Sequence, residues 1–226
     1  HALSGKKNVF LMTCSFAISI MMFLSFQVMV VFLDQGMPAL SPSAADVSIT
    51  MGNTPLDKSL LEQIRETEGV DKVFGRMEMA GLSISSDVGE GTVTLISYDD
   101  NQFEWAKEEL NKGSITPAME NTDRVLVTYQ DGVNWKVGDT VVLHTTSGDK
   151  QVTIAGILAT STASAVNGAG SSGYMICSEQ TFTALVGDLG YTTIDVQFSS
   201  AGGDDTVSAI RSMSPSDSTV SDKRIT

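Results

Sequence analysis

The sequence predicts an α+β fold in which one N-terminal transmembrane helix precedes an extracytoplasmic α/β domain with a β-rich piece inserted in its middle. Three observations carry that prediction. Residues 9–33 contain no Asp, Glu, Lys or Arg. Helix-and-strand patterning occupies residues 46–113 and returns at 191–226, with short strands and turns between. All 27 Asp and Glu lie beyond residue 33, against the 14 Lys and Arg less Lys6 and Lys7, which precede the apolar stretch.

The apolar stretch sets the topology. At about 1.5 Å per residue a helix over 9–33 reaches roughly 37 Å, enough to cross a hydrocarbon core of about 30 Å with some tilt. Its polar residues, Thr13, Ser15, Ser19, Ser25 and Gln27, are all uncharged. Lys6 and Lys7 before it and Asp34 after it orient the span, because basic residues stay on the cytoplasmic side. Residues 1–8 are then a cytoplasmic juxtamembrane lead and everything after Leu33 is outside. A cleaved signal peptide is the rival reading, with Ser43-Ala44-Ala45 offering small residues for cleavage. A signal h-region runs only about 7–15 residues, so an uncleaved span in the plasma membrane is expected. Ser15 and Ser19 share a helix face and form a candidate packing face for another helix; simple tolerance of serine in lipid is the alternative.

The remaining elements follow in order. Residues 34–45, with Gly36, Pro38 and Pro42, read as an exit linker. Val47, Ile49 and Met51 alternate as in a half-buried strand. A helix follows, with Thr54 able to cap, Pro55 in the first turn, Asp57 at the positive end, and Leu56, Leu60, Leu61 and Ile64 on one face; Gly69 is its stop. A strand from Val70 carries Val73, Met77 and Met79 on one parity and Leu82 and Ile84 on the other, which predicts a bulge near Gly81. Met77 and Met79 suit either an adaptable pocket or plain core. Gly89 and Gly91 mark a turn before a strand over 92–98. Asp99 or Asp100 then caps a helix through Phe103, Trp105, Ala106 and Leu110, ended by Gly113. From Arg124 the strands are short: 125–129, 140–145, 151–158 and 174–177, with Ser147-Gly148-Asp149 as a hairpin turn. The Ala, Ser, Thr and Gly run at 159–173 predicts a mobile surface loop. Ser178 or Glu179 opens a helix through Phe182 and Leu185, and 192–198 is a strand. Asp204 and Asp205 start a last helix bearing Val207, Ile210 and Met213, and a final strand begins at Ser218.

The inventory of reactive groups is thin. The two histidines are His1, at the terminus, and His144, on a strand where it reads as a structural or surface residue. Ser147 and Lys150 have SxxK spacing but fall in a turn, where they cannot share a helix face. HExxH, CxxC, EF-hand and GxSxG patterns are absent, and no GxxxxGK[ST] provides a nucleotide-binding loop. No catalytic residue, cofactor or metal ligand is therefore expected, and the chain is not expected to be an enzyme. Cys14 lies in the span and Cys177 outside, so no disulfide staples the exterior. The acidic exterior repels nucleic acid, which is excluded as a partner. The chain begins at His1 and ends at Thr226 in a strand-like stretch, which reads as a piece of something longer.

Three stretches carry a resemblance. Leu60-Leu61-Glu62-Gln63-Ile64 through Glu68-Gly69-Val70-Asp71-Lys72-Val73 is similar to a helix ending in a Gly-Val step into a strand. Asp123-Arg124-Val125-Leu126-Val127, followed by Trp135-Lys136-Val137-Gly138-Asp139-Thr140-Val141, supplies a strand, a short segment and a second strand. Gln151-Val152-Thr153-Ile154-Ala155-Gly156-Ile157 supplies the next. In this order, after one span, they resemble the MacB-like periplasmic core domain of FtsX-like ABC transporter permeases. The resemblance implies a porter-like subdomain made of 46–113 and 191–226, with a sabre-like β-rich subdomain at 114–190 inserted. It further implies a permease subunit, with its exterior domain between the first two of four spans. That subunit would pair with a second permease, as a homo- or heterodimer, and bind a cytoplasmic ABC ATPase subunit. ATP-driven motion would pass through the bilayer by mechanotransmission to an extracytoplasmic adaptor or cargo, in efflux, other transport or regulation. A single-span anchored binding or sensor module is the alternative.

Overall fold

The computed structural model describes residues 20–22, 45–106, 110–128, 134–159 and 173–224. Residues 20–22 are helical and exposed. The rest of the expected span, Lys6, Lys7, Ser15, Ser19 and nearly all of the 159–173 loop lie outside the described residues. Among the described residues no helix is long and apolar enough to cross a membrane.

From residue 45 onward the elements are, in order, β1 (Val47–Thr50), α1 (Lys58–Arg65), β2 (Val70–Arg76), β3 (Glu78–Ser86), β4 (Gly89–Tyr98), α2 (Asp100–Ala106), β5 (Leu110–Gly113) and α3 (Thr116–Glu120). They continue with β6 (Arg124–Thr128), β7 (Thr140–Thr145), β8 (Gly148–Leu158), β9 (Tyr174–Ser178), α4 (Glu179–Val186), β10 (Thr193–Phe198), α5 (Asp204–Met213) and β11 (Thr219–Asp222). Two sheets result. The first is antiparallel, in the order β11-β1-β10-β2. With α1 and α5 it makes two β-α-β units whose strands interleave, the split βαβ arrangement. Val47, Ile49, Ile194 and Val196 are fully buried in it, and Leu60, Leu61, Ile64, Val207 and Ile210 come down from the helices.

The second sheet runs β5-β8-β6-β9-β4-β3-β7, and β7 also pairs with β8, so six of its strands close into a barrel. The β6–β8 and β4–β9 pairs are parallel. Closure removes the exposed edges of these strands. Strand β7 covers 148–153 of β8, and β5 takes over the same edge from Gly156 to Leu158. Val125, Val127, Leu95, Met175 and Cys177 fill one cluster, whereas Leu126, Ile96 and Ile176 point the other way, against Phe103, Ile115 and Ala118. Burial on both faces explains runs such as Val125-Leu126-Val127, where alternation is lost.

Several local expectations change. Helix α1 is capped by Asp57, whose carboxylate accepts from the Ser59 N–H at 2.7 Å, and not by Thr54. Leu56 cannot enter the helix because its N–H and C=O exchange hydrogen bonds with Tyr191 at 2.8 and 3.0 Å. Leu110 belongs to a strand and not to the preceding helix, since the free edge of β8 recruits it opposite Leu158. The strand from Val70 is broken at Met77: β2 stays in the four-stranded sheet, and β3 and β4, from the 46–113 stretch, enter the barrel. The bulge does occur at Gly81, where φ is +70° and the β3–β4 register shifts between Met79 and Leu82. The hairpin turns on Thr146 and Ser147, one residue earlier than expected, with Thr145 opposite Gly148.

Candidate functional site

The chain comes in and goes out of the four-stranded sheet at one place. Asp46 donates its N–H to Val196 at 2.9 Å, accepts from the Lys223 N–H at 2.8 Å through its carbonyl, and accepts from the Phe198 N–H at 2.7 Å through its carboxylate. Because β1 and β11 are antiparallel neighbours, with Val47 opposite Asp222, residues 46 and 223 stand side by side. Arg224 fastens the outgoing end. Its Nη2 donates to Asp204 at 2.8 Å and to Asp222 at 2.7 Å, its Nε donates to Asp222 at 2.9 Å, and its guanidinium lies 5.4 Å from the Phe198 ring centre. The fork holds the Asp222 carboxyl down at about 2 and pushes the Arg224 value up. The two side chains are 22% and 25% exposed, and a pair at the surface fixes geometry more than it adds stability.

At its far end the four-stranded sheet meets the barrel through two neighbouring passages, at Met77 and at 187–192. The Arg76 carbonyl accepts from both the N–H and the hydroxyl of Thr192, each at 2.8 Å. Met77 is fully buried; its N–H donates to the Ser97 hydroxyl at 2.8 Å and its carbonyl accepts from the Ser97 N–H at 2.9 Å. Tyr191 sits between. Its backbone bridges Leu56, its ring covers Gly75, and its hydroxyl donates to Glu179 at 3.1 Å. Burial, then the Glu179 charge, pushes the Tyr191 phenol up to about 12. Lys58 of α1 reaches Glu179 of α4 and lies 3.4 Å from Asp188, and its value is raised chiefly by the bond to Glu179. Beneath this, Arg76 pairs with buried Asp195 at 3.2 Å, and the Ser48 hydroxyl donates to the same carboxylate. The Arg76 Nε is buried without a hydrogen bond, 3.9 Å from Glu78, whose carboxyl is raised by burial. Both ends of the sheet are thus tied.

The residues weighed for chemistry do not converge. His144 is exposed on β7, with Nδ1 2.8 Å from Asp149 and Nε2 3.1 Å from the Ser85 hydroxyl. The order resembles a nucleophile relay, but Ser85 lies mid-strand with Glu90 and Val142 opposite it on the two sides, on an open face without an oxyanion hole. Met77 is core, and Met79 is partly buried against it. Cys177 is buried, which raises its thiol and leaves it unreactive. Among the described residues no group of three or more metal-ligating side chains forms. Arg224, Asp46 and Tyr191 were not singled out from sequence. The Phe-x₅-Asp and Asp-x-Arg spacings around them carry no pattern that separates them from surface charge.

The solved structures similar to this domain decide its fold. The periplasmic region of MacB from Actinobacillus actinomycetemcomitans matches with a TM-score of 0.53, at 12% identity, over 78% of this chain and 87% of that one. The extracellular domain of the noncanonic ABC-type transporter YknZ from Gram-positive bacteria matches with a TM-score of 0.54, at 10% identity, over 77% and 98%. The chain has the fold of a MacB-type periplasmic domain. No protein-family model and no curated protein matches the sequence. The MacB-type fold is the one the sequence resemblance implied, and at these identities it is the fold alone that is shared.

Proposed function

We propose that this chain is part of an ABC transporter permease subunit whose extracytoplasmic domain turns cytoplasmic ATP hydrolysis into movement outside the membrane. Residues 9–33 form the first span, Lys6 and Lys7 hold its start in the cytoplasm, and Ser15 and Ser19 face a neighbouring helix. The four-stranded sheet with α1 and α5 is the porter-like part, and the inserted barrel is the sabre-like part. The observation that carries the reading is the side-by-side position of Asp46 and Lys223. A domain hung between two spans needs its two ends together, and two linked strands moved together carry the sheet with them. The ATPase is a separate subunit, and a second permease completes the pair in the bilayer.

Affinity purification of the full-length protein from its own membrane, with mass spectrometry of the co-purifying proteins, tests this. A cytoplasmic nucleotide-binding subunit is the expected companion. Its consistent absence, with only extracytoplasmic proteins recovered, would refute the permease reading and make the protein an anchored interaction module.

A further inference from the structure

A groove of about 600 Å³ opens on the barrel at the seam where β8 changes neighbours. Between Thr153, the last residue opposite β7, and Gly156, opposite β5, the edge of β8 is held by bonds from the flanking segments. Gly138 N–H donates to the Ile154 carbonyl at 2.8 Å, Ile154 N–H to the Asp139 carbonyl at 2.9 Å and Ser114 N–H to the Ala155 carbonyl at 3.0 Å. The buried Ile154 and Ala155 close its floor, and Val137 and Pro117 are its apolar walls. Asp123 and Arg124 stand on the rim. The size falls in the usual range for small-molecule sites, which pair an apolar lining with a few polar groups.

Two features point to an occupant. The groove gathers parts of the second and third sequence stretches singled out above, Asp123-Arg124, Val137-Gly138 and Ile154-Ala155, beside Gly113, Ser114, Pro117 and Asn121. The rim also presents opposite charges together: Arg124 Nε lies 3.5 Å from an Asp123 oxygen, with the side chains 40% and 60% exposed. At 3.5 Å that contact is an ion pair without a hydrogen bond, and among the described residues the guanidinium makes no other polar contact. So exposed a pair is worth little by itself and is readily exchanged for ligand bonds. A carboxylate suits the planar fork of Arg124, and an ammonium suits Asp123. Asp123 repels a plain anion and Arg124 a plain cation.

We propose that this groove binds an α-amino acid with an apolar side chain, its carboxylate on Arg124, its ammonium on Asp123 and its hydrocarbon arm against Val137 and Pro117. An α-amino acid is a small zwitterion whose two charges are as close together as those of the rim. This site stands on the barrel's geometry and is independent of the permease reading.

The test is equilibrium dialysis of the full chain in lipid nanodiscs against radiolabelled L-phenylalanine. Saturable binding below about 10 mM is expected, competed by L-leucine. N-acetyl-L-phenylalanine and 3-phenylpropionate, which lack the ammonium, should not compete. Arg124→Gln and Asp123→Asn should each weaken binding by about tenfold or more, the loss expected for one charge-assisted hydrogen bond. Val137→Trp, at a side chain 47% exposed on the wall, should fill the groove and abolish binding. All three changes are at exposed positions, and circular dichroism should show the fold intact. Absence of saturable binding overturns the proposal. Competition by 3-phenylpropionate equal to that by L-leucine, or binding indifferent to both rim substitutions, overturns it too.

Discussion

Replacing Gly75 by alanine tests whether the junction between the two sheets is as tightly fitted as its contacts imply. A Cβ at Gly75 would lie 2.6 Å from the nearest atom of the Tyr191 ring. The ring cannot swing aside freely, since its hydroxyl is bonded to Glu179 at 3.1 Å and its backbone to Leu56 on both polar groups. Overpacking of a close-packed site costs about 1–3 kcal/mol, which for a chain of this length lowers the melting temperature by roughly 2–12 °C. Removing the ring with Tyr191→Ala should itself cost about 3–5 kcal/mol, as for other large aromatic truncations. The decisive comparison is the double variant. Once the ring is gone, the three nearest atoms to the new Cβ go with it, and Gly75→Ala should add no more than about 0.5 kcal/mol. The assay is thermal and denaturant unfolding of the four proteins in one detergent, followed by tryptophan fluorescence. If Gly75→Ala is neutral in the wild-type background, or costs as much without Tyr191 as with it, the ring does not pin this strand.

Two further outcomes follow from single positions. Ile194 is fully buried at the centre of the four-stranded sheet, so Ile194→Ala should lose about 2–5 kcal/mol in the same unfolding assay; a loss below 1 kcal/mol would mean that this sheet is not the structural base of the domain. Asp222 has a folded value of about 2 against an ordinary 3.8, so its contribution is complete above pH 3.8 and disappears as pH falls through 2. Arg224→Gln should move the Asp222 titration, read from its carboxyl carbon by NMR, upward towards 3.8; an unchanged midpoint would show that Arg224 does not clamp it.

The helices with a polar start and a clean apolar face were legible in the sequence. Ser178 caps α4 with its hydroxyl on the Thr181 N–H, and Asp204 and Asp205 open α5, because caps and amphipathic faces are local properties. The bulge at Gly81 was legible for the same reason, as a parity change beside a glycine. What sequence could not supply was partner choice. Leu110 continues an apolar face after Phe103, but the free edge of β8 claims it, and nothing near Leu110 encodes that edge. Met77 carries no mark of the place where one strand leaves the four-stranded sheet and another joins the barrel, since an uninterrupted β pattern runs through both. Closure of the barrel by β7 on β8 is a short hairpin, legible at its turn, but its consequence for β3 depends on a pairing with residues far back in the chain, Ser83 with His144. The polar ties at the two ends of the four-stranded sheet were illegible because each joins residues distant in sequence, as Asp46 does with Phe198 and Lys223.

The order of these ties says how the sheet would carry a load applied where the chain comes in and goes out. Strand β1 is central, hydrogen-bonded to β11 on one side and β10 on the other. A displacement of Asp46 and Lys223 in the same direction moves β1 and β11 together and leaves their mutual ladder unstrained. The resisting element is β10, which leads back through Thr192 to the barrel junction, so the load falls on the β1–β10 ladder from Val47 opposite Val196 to Thr50 opposite Thr193. Those bonds lie across the direction of pull and share it, instead of opening one at a time from an end. Strand β2 doubles the path, since β10 pairs with it from Thr193 opposite Arg76 onward and both lead to the same junction. There the Thr192–Arg76 bonds and the Tyr191 ring against Gly75 hold the two passages to one another, while the Tyr191–Leu56 bridge and the Lys58–Glu179 pair join the second passage and α4 to the start of α1. A pull on the paired ends would therefore reach the barrel through two adjacent antiparallel strands, β10 and β2, that are joined at the point of delivery.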